Sequence, residues 1–300
     1  MLRHITAKSA VVSAAALVAG SVLAGVVAAQ DLGLVYVFAM NQTGQPITDL
    51  TSEEFSIAEG ETQVKVVSAQ IGTEPMKIAL LVDNGAGLDD QINPLRDGLV
   101  AFLETLPPQH LVGLFTIGGQ IQRRVDFTTD RAELLAAARA VFPDRGNARY
   151  LDGIRETLDR GFDGDEAWPV FVAILTDSPE GSANMNDPRY NRFVGSLVSA
   201  GVTIHAVHIP SRQRSASNLS QNYSIHLTGT TGGRYAALTA PTGLQDYMTK
   251  LATDMGAFYD GASPLYRVIY ERPDPPEDRV SVSVERQAVE VYLFGDRHMP

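Results

Sequence analysis

Apolar positions change period twice along the chain. From Gly33 to Ile71 they alternate in short runs, Leu34-Val35-Tyr36-Val37-Phe38, Phe55-Ser56-Ile57 and Val64-Lys65-Val66-Val67, broken by turn chemistry at Asn41-Gln42-Thr43-Gly44 and Glu59-Gly60. That alternation predicts strands. The C-terminal segment has the same character, with strand candidates at 265–270, 280–284 and 289–294 separated by Pro273-Asp274-Pro275-Pro276 and Arg286-Gln287. Neither end has enough strands to close a stable sheet alone, so the two are expected to pair into one small β-sandwich.

Between them, about 75–260, strand and helix patterns take turns. Lys77 to Val82 is an apolar run suited to a strand buried on both faces, and Ile92, Leu95, Leu99, Phe102, Leu103 and Leu106 then recur at helical spacing. Runs at 110–117 and 121–127 flank Gly118-Gly119, a hairpin signal that adds an antiparallel edge strand to an otherwise parallel sheet. Helices are predicted at 130–142, 150–160, 219–227 and 244–255, with another opened by Asp187-Pro188, and further strands at 168–175, 202–209 and 234–238. Trp168, Phe102, Phe115, Phe142 and Phe171 fall at core periods. The fold class is α/β: a doubly wound, mostly parallel sheet with one antiparallel edge strand, flanked by a small sandwich built from both termini. The division is 1–29 leader, 30–74 N-terminal β segment, 75–260 α/β domain and 261–300 C-terminal β segment.

The leader sets the compartment. Arg3 and Lys8 precede a run of 22 uncharged residues from Ser9 to Gln30, and Val27-Ala28-Ala29 supplies small residues at the spacing a signal peptidase reads. The expectation is an exported protein, periplasmic or secreted, that starts near Gln30 and does not insert in the membrane after cleavage. The other reading is an uncleaved inner-membrane anchor, because the run approaches the ~20 residues that cross a bilayer. Removing the leader takes away two cations and no carboxylate, so the net charge moves from -11 to -13. A chain this acidic cannot spread a phosphate-neutralising surface over nucleic acid. The absence of cysteine excludes disulfides, thiolate metal sites and thiol nucleophiles.

Candidate chemistry collects at the carboxyl ends of the predicted parallel strands, where ligands bind in such sheets. Asp83 ends the first within Leu80-Leu81-Val82-Asp83-Asn84-Gly85-Ala86-Gly87, and Asp177 ends another within Ile174-Leu175-Thr176-Asp177-Ser178. In element order, hairpin included, and in both aspartates, residues 75–260 resemble the von Willebrand factor type A family. The flanking segments, with 49–55 and Thr231-Gly232-Gly233-Arg234, look like a group of exported bacterial members. The resemblance implies a protein-binding module. It also implies a divalent cation held by an Asp-x-Ser-x-Ser strand end, a Thr on a second loop and an Asp on a third.

Here the pattern departs at three of those five positions. Gly85 and Gly87 stand where the two serines belong, and Ala148 takes the place of the threonine. A hard cation such as Mg²⁺ wants about six oxygens at ~2.1 Å, so no metal is expected, or at most weak Mg²⁺ on Asp83 and Asp177. Two further roles remain open for these residues. Asp83 could cap the helix that follows it, or the guanidinium of Arg149 could neutralise both carboxylates in the metal's place. The expected binding rim is Asp83, Asn84, Gly85, Gly87, Ala148, Arg149, Asp177 and Ser178, bordered by polar loops at 178–191 and 211–217. The function expected is non-enzymatic binding of a protein partner. The competing class is a hydrolase or transferase using Asp83 and Asp177, although no Gly-x-Ser-x-Gly or His-Glu-x-x-His pattern is present and the six histidines do not cluster.

Overall fold

Five apolar residues in succession make β5 (Lys77–Val82) a strand that must be covered on both faces, and every residue from Ile78 to Val82 is buried. The computed structural model describes residues 32–72, 74–88, 91–162, 168–182, 187–210, 219–262, 264–277 and 279–294. The leader at 1–29 and the 211–217 loop lie outside them. In the described part, β5 pairs in parallel with β6 (Leu111–Thr116) on one side and β8 (Pro169–Leu175) on the other. The sheet continues through β9 (Thr203–His208) to β10 (Tyr235–Ala237), and ends at the opposite edge with β7 (Gln122–Thr128), antiparallel to β6. The hairpin into that edge turns at Gly119, whose φ of +67 suits glycine.

Helices cover both faces. On one, α1 (Ile92–Thr105), α2 (Arg131–Arg139) and α6 (Leu244–Ala262) bury Leu95, Leu99, Phe102, Leu134, Met248 and Leu251 against Leu80, Val82 and Val172. On the other, α3 (Tyr150–Gly161), α4 (Asp187–Ser199) and α5 (Leu219–Thr231) bring Tyr150, Ile154, Leu197 and Leu227 onto Leu81, Phe171 and Ala173. Among the described residues, no helix is long and apolar enough to cross a membrane.

The termini pair as expected. β1 (Leu32–Asn41) lies antiparallel to β11 (Leu265–Glu271), with Val35 opposite Val268 and Val37 opposite Tyr266. A four-stranded sheet results, in the order β13 (Val289–Phe294), β1, β11, β4 (Val66–Ile71). A second sheet, β12 (Val280–Val284), β2 (Phe55–Glu59) and β3 (Thr62–Val64), shares its core through Phe55, Ile57 and Tyr266. The sandwich also leans on the α/β domain, because Tyr36 and Leu265 belong to the core of α1 and α6.

One predicted helix is too long. α2 is capped at its start by Asp130, whose Oδ1 accepts from the Ala132 and Glu133 amides, but it ends at Arg139 rather than 142. Phe142 precedes Pro143, and a proline ring disfavours helical backbone in the residue before it. Phe142 is therefore 50% exposed, whereas Phe102, Phe115, Trp168 and Phe171 are buried as their spacing suggested.

Candidate functional site

Asp83 leaves the end of β5 with no exposed surface. Its Oδ1 accepts from the Gly85 amide at 2.9 Å and the Ser178 hydroxyl at 3.1 Å. Oδ2 accepts from the Thr176 amide at 3.0 Å and from the Thr176 hydroxyl. Burial pushes the carboxyl upward from its ordinary pKa, and these four donors oppose that shift by favouring the charged form. Thr176 and Ser178 are themselves buried and 2.7 Å apart at their hydroxyl oxygens, and Ser178 Oγ accepts from the Gly87 amide at 2.8 Å. Two strand-end loops are thus sewn together around one carboxylate.

The neighbouring rim residues extend the seam. The Asn84 side chain donates to the Phe142 carbonyl at 2.9 Å and accepts from the Gly118 amide at 3.0 Å. Ala86 N–H donates to the Gly146 carbonyl, Ala148 N–H to Pro179, and Arg149 N–H to Ile117. The rim is a rigid, backbone-bonded surface with Ala86 exposed at its top.

Two expected roles need correction. Asp83 does not cap α1, whose N-cap is Gln91 and carries no side-chain cap bond. Several residues of loop separate the two, and the donors that reach Asp83 first belong to Thr176, Ser178 and Gly85. Arg149 does not neutralise the strand-end aspartates. It donates to Asp152 at 2.7 Å, three residues on along α3, and Arg155 holds the other oxygen of that buried carboxylate at 2.9 Å. Asp177, half-buried, is not among the partners of Asp83; its charge is felt by His208 and Tyr235. Thr176 is the contributor that the sequence reading passed over. In extended backbone alternate residues share a face, so Thr176 and Ser178 point together and Asp177 points away.

No protein-family profile and no curated protein matches the sequence. Solved structures do resemble the architecture. A von Willebrand factor type A protein from Catenulispora acidiphila aligns with 87% of this chain and 71% of its own length, at TM-score 0.52 and 10% identity. The fold is that of a von Willebrand factor A domain. The conserved hypothetical protein BatB from Bacteroides thetaiotaomicron aligns at TM-score 0.47 and 13% identity, covering 61% of this chain and 99% of its own. The vWF domain of the type V pili tip protein Mfa5 from Porphyromonas gingivalis aligns at 0.46 and 12%, covering 62% and 96%.

A cation of the kind the vWA resemblance implies does not fit these residues. The side chains at Gly85, Gly87 and Ala148 supply no oxygen, and both oxygens of Asp83 already accept from protein donors. There is also no room for the two missing serines. A Cβ on Gly85 would stand 2.5 Å from the Gly146 carbonyl oxygen, and one on Gly87 would stand 2.6 Å from the Asp177 carbonyl carbon and closer still to the Ser178 amide nitrogen. Among the described residues no group of three or more His, Asp or Glu side chains could hold a metal.

The carboxyl half of the vWA sheet also buries two histidines. His205 accepts from the Arg234 amide through Nδ1 at 3.1 Å, and burial holds its pKa down at about 4. The unfolded chain, with a histidine pKa near 6.5, takes up the proton first as pH falls, so this group's contribution to stability is complete above about pH 6.5 and is lost toward pH 4. At ~1.4 kcal/mol per pH unit the loss is roughly 3 kcal/mol. Urea unfolding at pH 7 and pH 4.5 should show a fall in stability that is ~2 kcal/mol smaller in His205→Gln than in the native chain. An equal fall in both proteins would show that His205 titrates normally.

Proposed function

We propose that this chain is an exported, non-enzymatic protein-binding module whose vWA rim works without a bound cation. The observation that carries the reading is the Asp83 centre. Its carboxylate is fully buried and engaged by four protein donors, with the two glycines packed against backbone where metal-ligating serines would stand. Such a group holds loops in place; it is neither reachable by a substrate nor available to a metal. The hydrolase or transferase alternative needs a carboxylate open to solvent, and of the strand-end pair only Asp177 has exposed surface. Export rests on the leader pattern, and the partner is a protein engaging the rigid rim around Ala86.

The test uses the protein recovered from its native host, immobilised and exposed to envelope extract in Mg²⁺ and again in EDTA. Its intact mass reports the start of the chain, expected near Gln30. The same protein should be retained in both buffers and lost when Ala86→Trp blocks the rim. Retention that needs Mg²⁺ would return the site to metal-dependent adhesion. Turnover of an ester or phosphate substrate that Asp177→Asn abolishes would establish the enzyme instead.

A further inference from the structure

A groove of about 850 Å³ runs between the four-stranded sheet and the amino ends of the α/β strands, away from the Asp83 rim. Tyr36 and Val202 are buried beneath it, and the hydroxyl-bearing Ser199, Thr203, Thr230 and Thr231 line it as well. Its lips are apolar and face solvent: Leu32 on β1, Leu293 on β13 and Val198 on α4 are 58%, 37% and 51% exposed. Three of the large exposed hydrophobic residues therefore border a single concavity, in the size range of small-molecule sites.

Charge gives the groove a direction. Arg272 and Arg279 line it beside Tyr270 and Val280. Arg272 spends Nε and Nη2 on the buried Glu59, at 3.0 and 2.6 Å, and on the Glu277 carbonyl. Arg279 is exposed, and no carboxylate among the described residues lies within ion-pair distance of it. A chain of net charge -11 has thus placed, in a trough with apolar lips, a cation that has no carboxylate partner among the described residues. Electrostatically the complement is an anion, and chemically the complement of the trough is hydrocarbon.

We propose that this groove binds a single-chain amphiphile with an anionic head, its head on Arg279 and its hydrocarbon tail along Leu32, Val198 and Leu293. The two parts are separable in measurement. Each methylene drawn from water is worth about fourfold in affinity, so two more carbons should tighten binding roughly fifteenfold. A charge-assisted bond from a guanidinium is worth about tenfold or more.

Calorimetric titration of the full chain with decanoate, dodecanoate and dodecyltrimethylammonium, all below micelle formation, tests both parts. The expected result is saturable binding of one dodecanoate, about fifteenfold weaker decanoate, and no saturable binding of the cationic amphiphile. Arg279→Ala should weaken dodecanoate about tenfold, Arg279→Lys should keep most of the affinity, and Leu293→Gln should weaken both carboxylates alike, each variant melting with the native chain. Absence of saturation, equal binding of the cationic amphiphile, or unchanged affinity in Arg279→Ala would overturn the proposal. None of these outcomes depends on what the Asp83 rim does.

Discussion

A chain ending at Asp260 is expected to lose its sandwich and to melt well below the whole protein. β11 is an interior strand of the four-stranded sheet, hydrogen-bonded to β1 on one side and β4 on the other, so its removal leaves two edges with nothing between them. The buried side chains lost with it are Leu265, Tyr266, Val268 and Tyr270. At ~1.5–3 kcal/mol each, their burial amounts to roughly 6–12 kcal/mol, the size of a typical domain's whole stability. Polar ties go as well. Tyr266 Oη accepts from the Leu50 amide at 2.8 Å, and Arg272 forms a two-pronged bond to Glu59, which has no exposed surface. The damage reaches the α/β domain, because Tyr36 and Leu265 pack into the core shared by α1 and α6. Thermal unfolding should show a drop of at least ~10 °C, or no cooperative transition for the N-terminal strands. If the shortened chain melts at the same temperature as the whole, the two terminal segments do not stabilise each other.

The pairing of distant termini was legible because the sequence leaves no alternative. Alternating runs such as Leu34 to Phe38 and Val280 to Val284 need partners, and neither end holds enough of them. The buried strands were legible for the opposite reason, since an unbroken apolar run like that of β8 can only sit inside. Less was readable where one local signal competed with another. The apolar residues of 130–142 fit a helix, yet Pro143 withdraws its last turn, and the exposed Phe142 follows from that one imide. At the site, residue identity found the two aspartates and the two glycines but not their partners. The pairing of Arg149 with Asp152 was available from their spacing of three at the start of α3, which makes them neighbours on the helix surface. The Thr-Asp-Ser triplet was available from strand period. What no local pattern contains is the approach of Gly146 and Ser178 to the glycines, since that distance is set by three loops converging from different strands.

Because of that approach, restoring the family's hydroxyls should destabilise the protein without restoring a cation site. The relevant variant is Gly85→Ser, Gly87→Ser and Ala148→Thr together. Neither glycine has the left-handed backbone that would by itself penalise a side chain, so the cost is steric. Overpacking typically costs ~1–3 kcal/mol at each site, and here the first atoms met are backbone rather than a flexible side chain, so a total near 5 kcal/mol is expected. Even where the variant folds, the Thr176 and Ser178 hydroxyls still donate to Asp83, and new oxygens do not release a carboxylate already taken. Adding Arg149→Ala should leave metal binding unchanged, since that guanidinium belongs to Asp152. Ser178→Ala measures the seam directly: it removes one donor from Asp83 and the acceptor of the Gly87 amide, a loss of ~1–3 kcal/mol with both groups buried. Calorimetry with Mg²⁺ on the native chain, the triple variant and the quadruple variant should show no saturable heat in any of them, and melting temperatures should be equal in Mg²⁺ and EDTA. Tight Mg²⁺ binding by the native chain would mean that Thr176 and Ser178 turn their oxygens toward an ion, and the carboxylate at Asp83 would be a ligand rather than a lock.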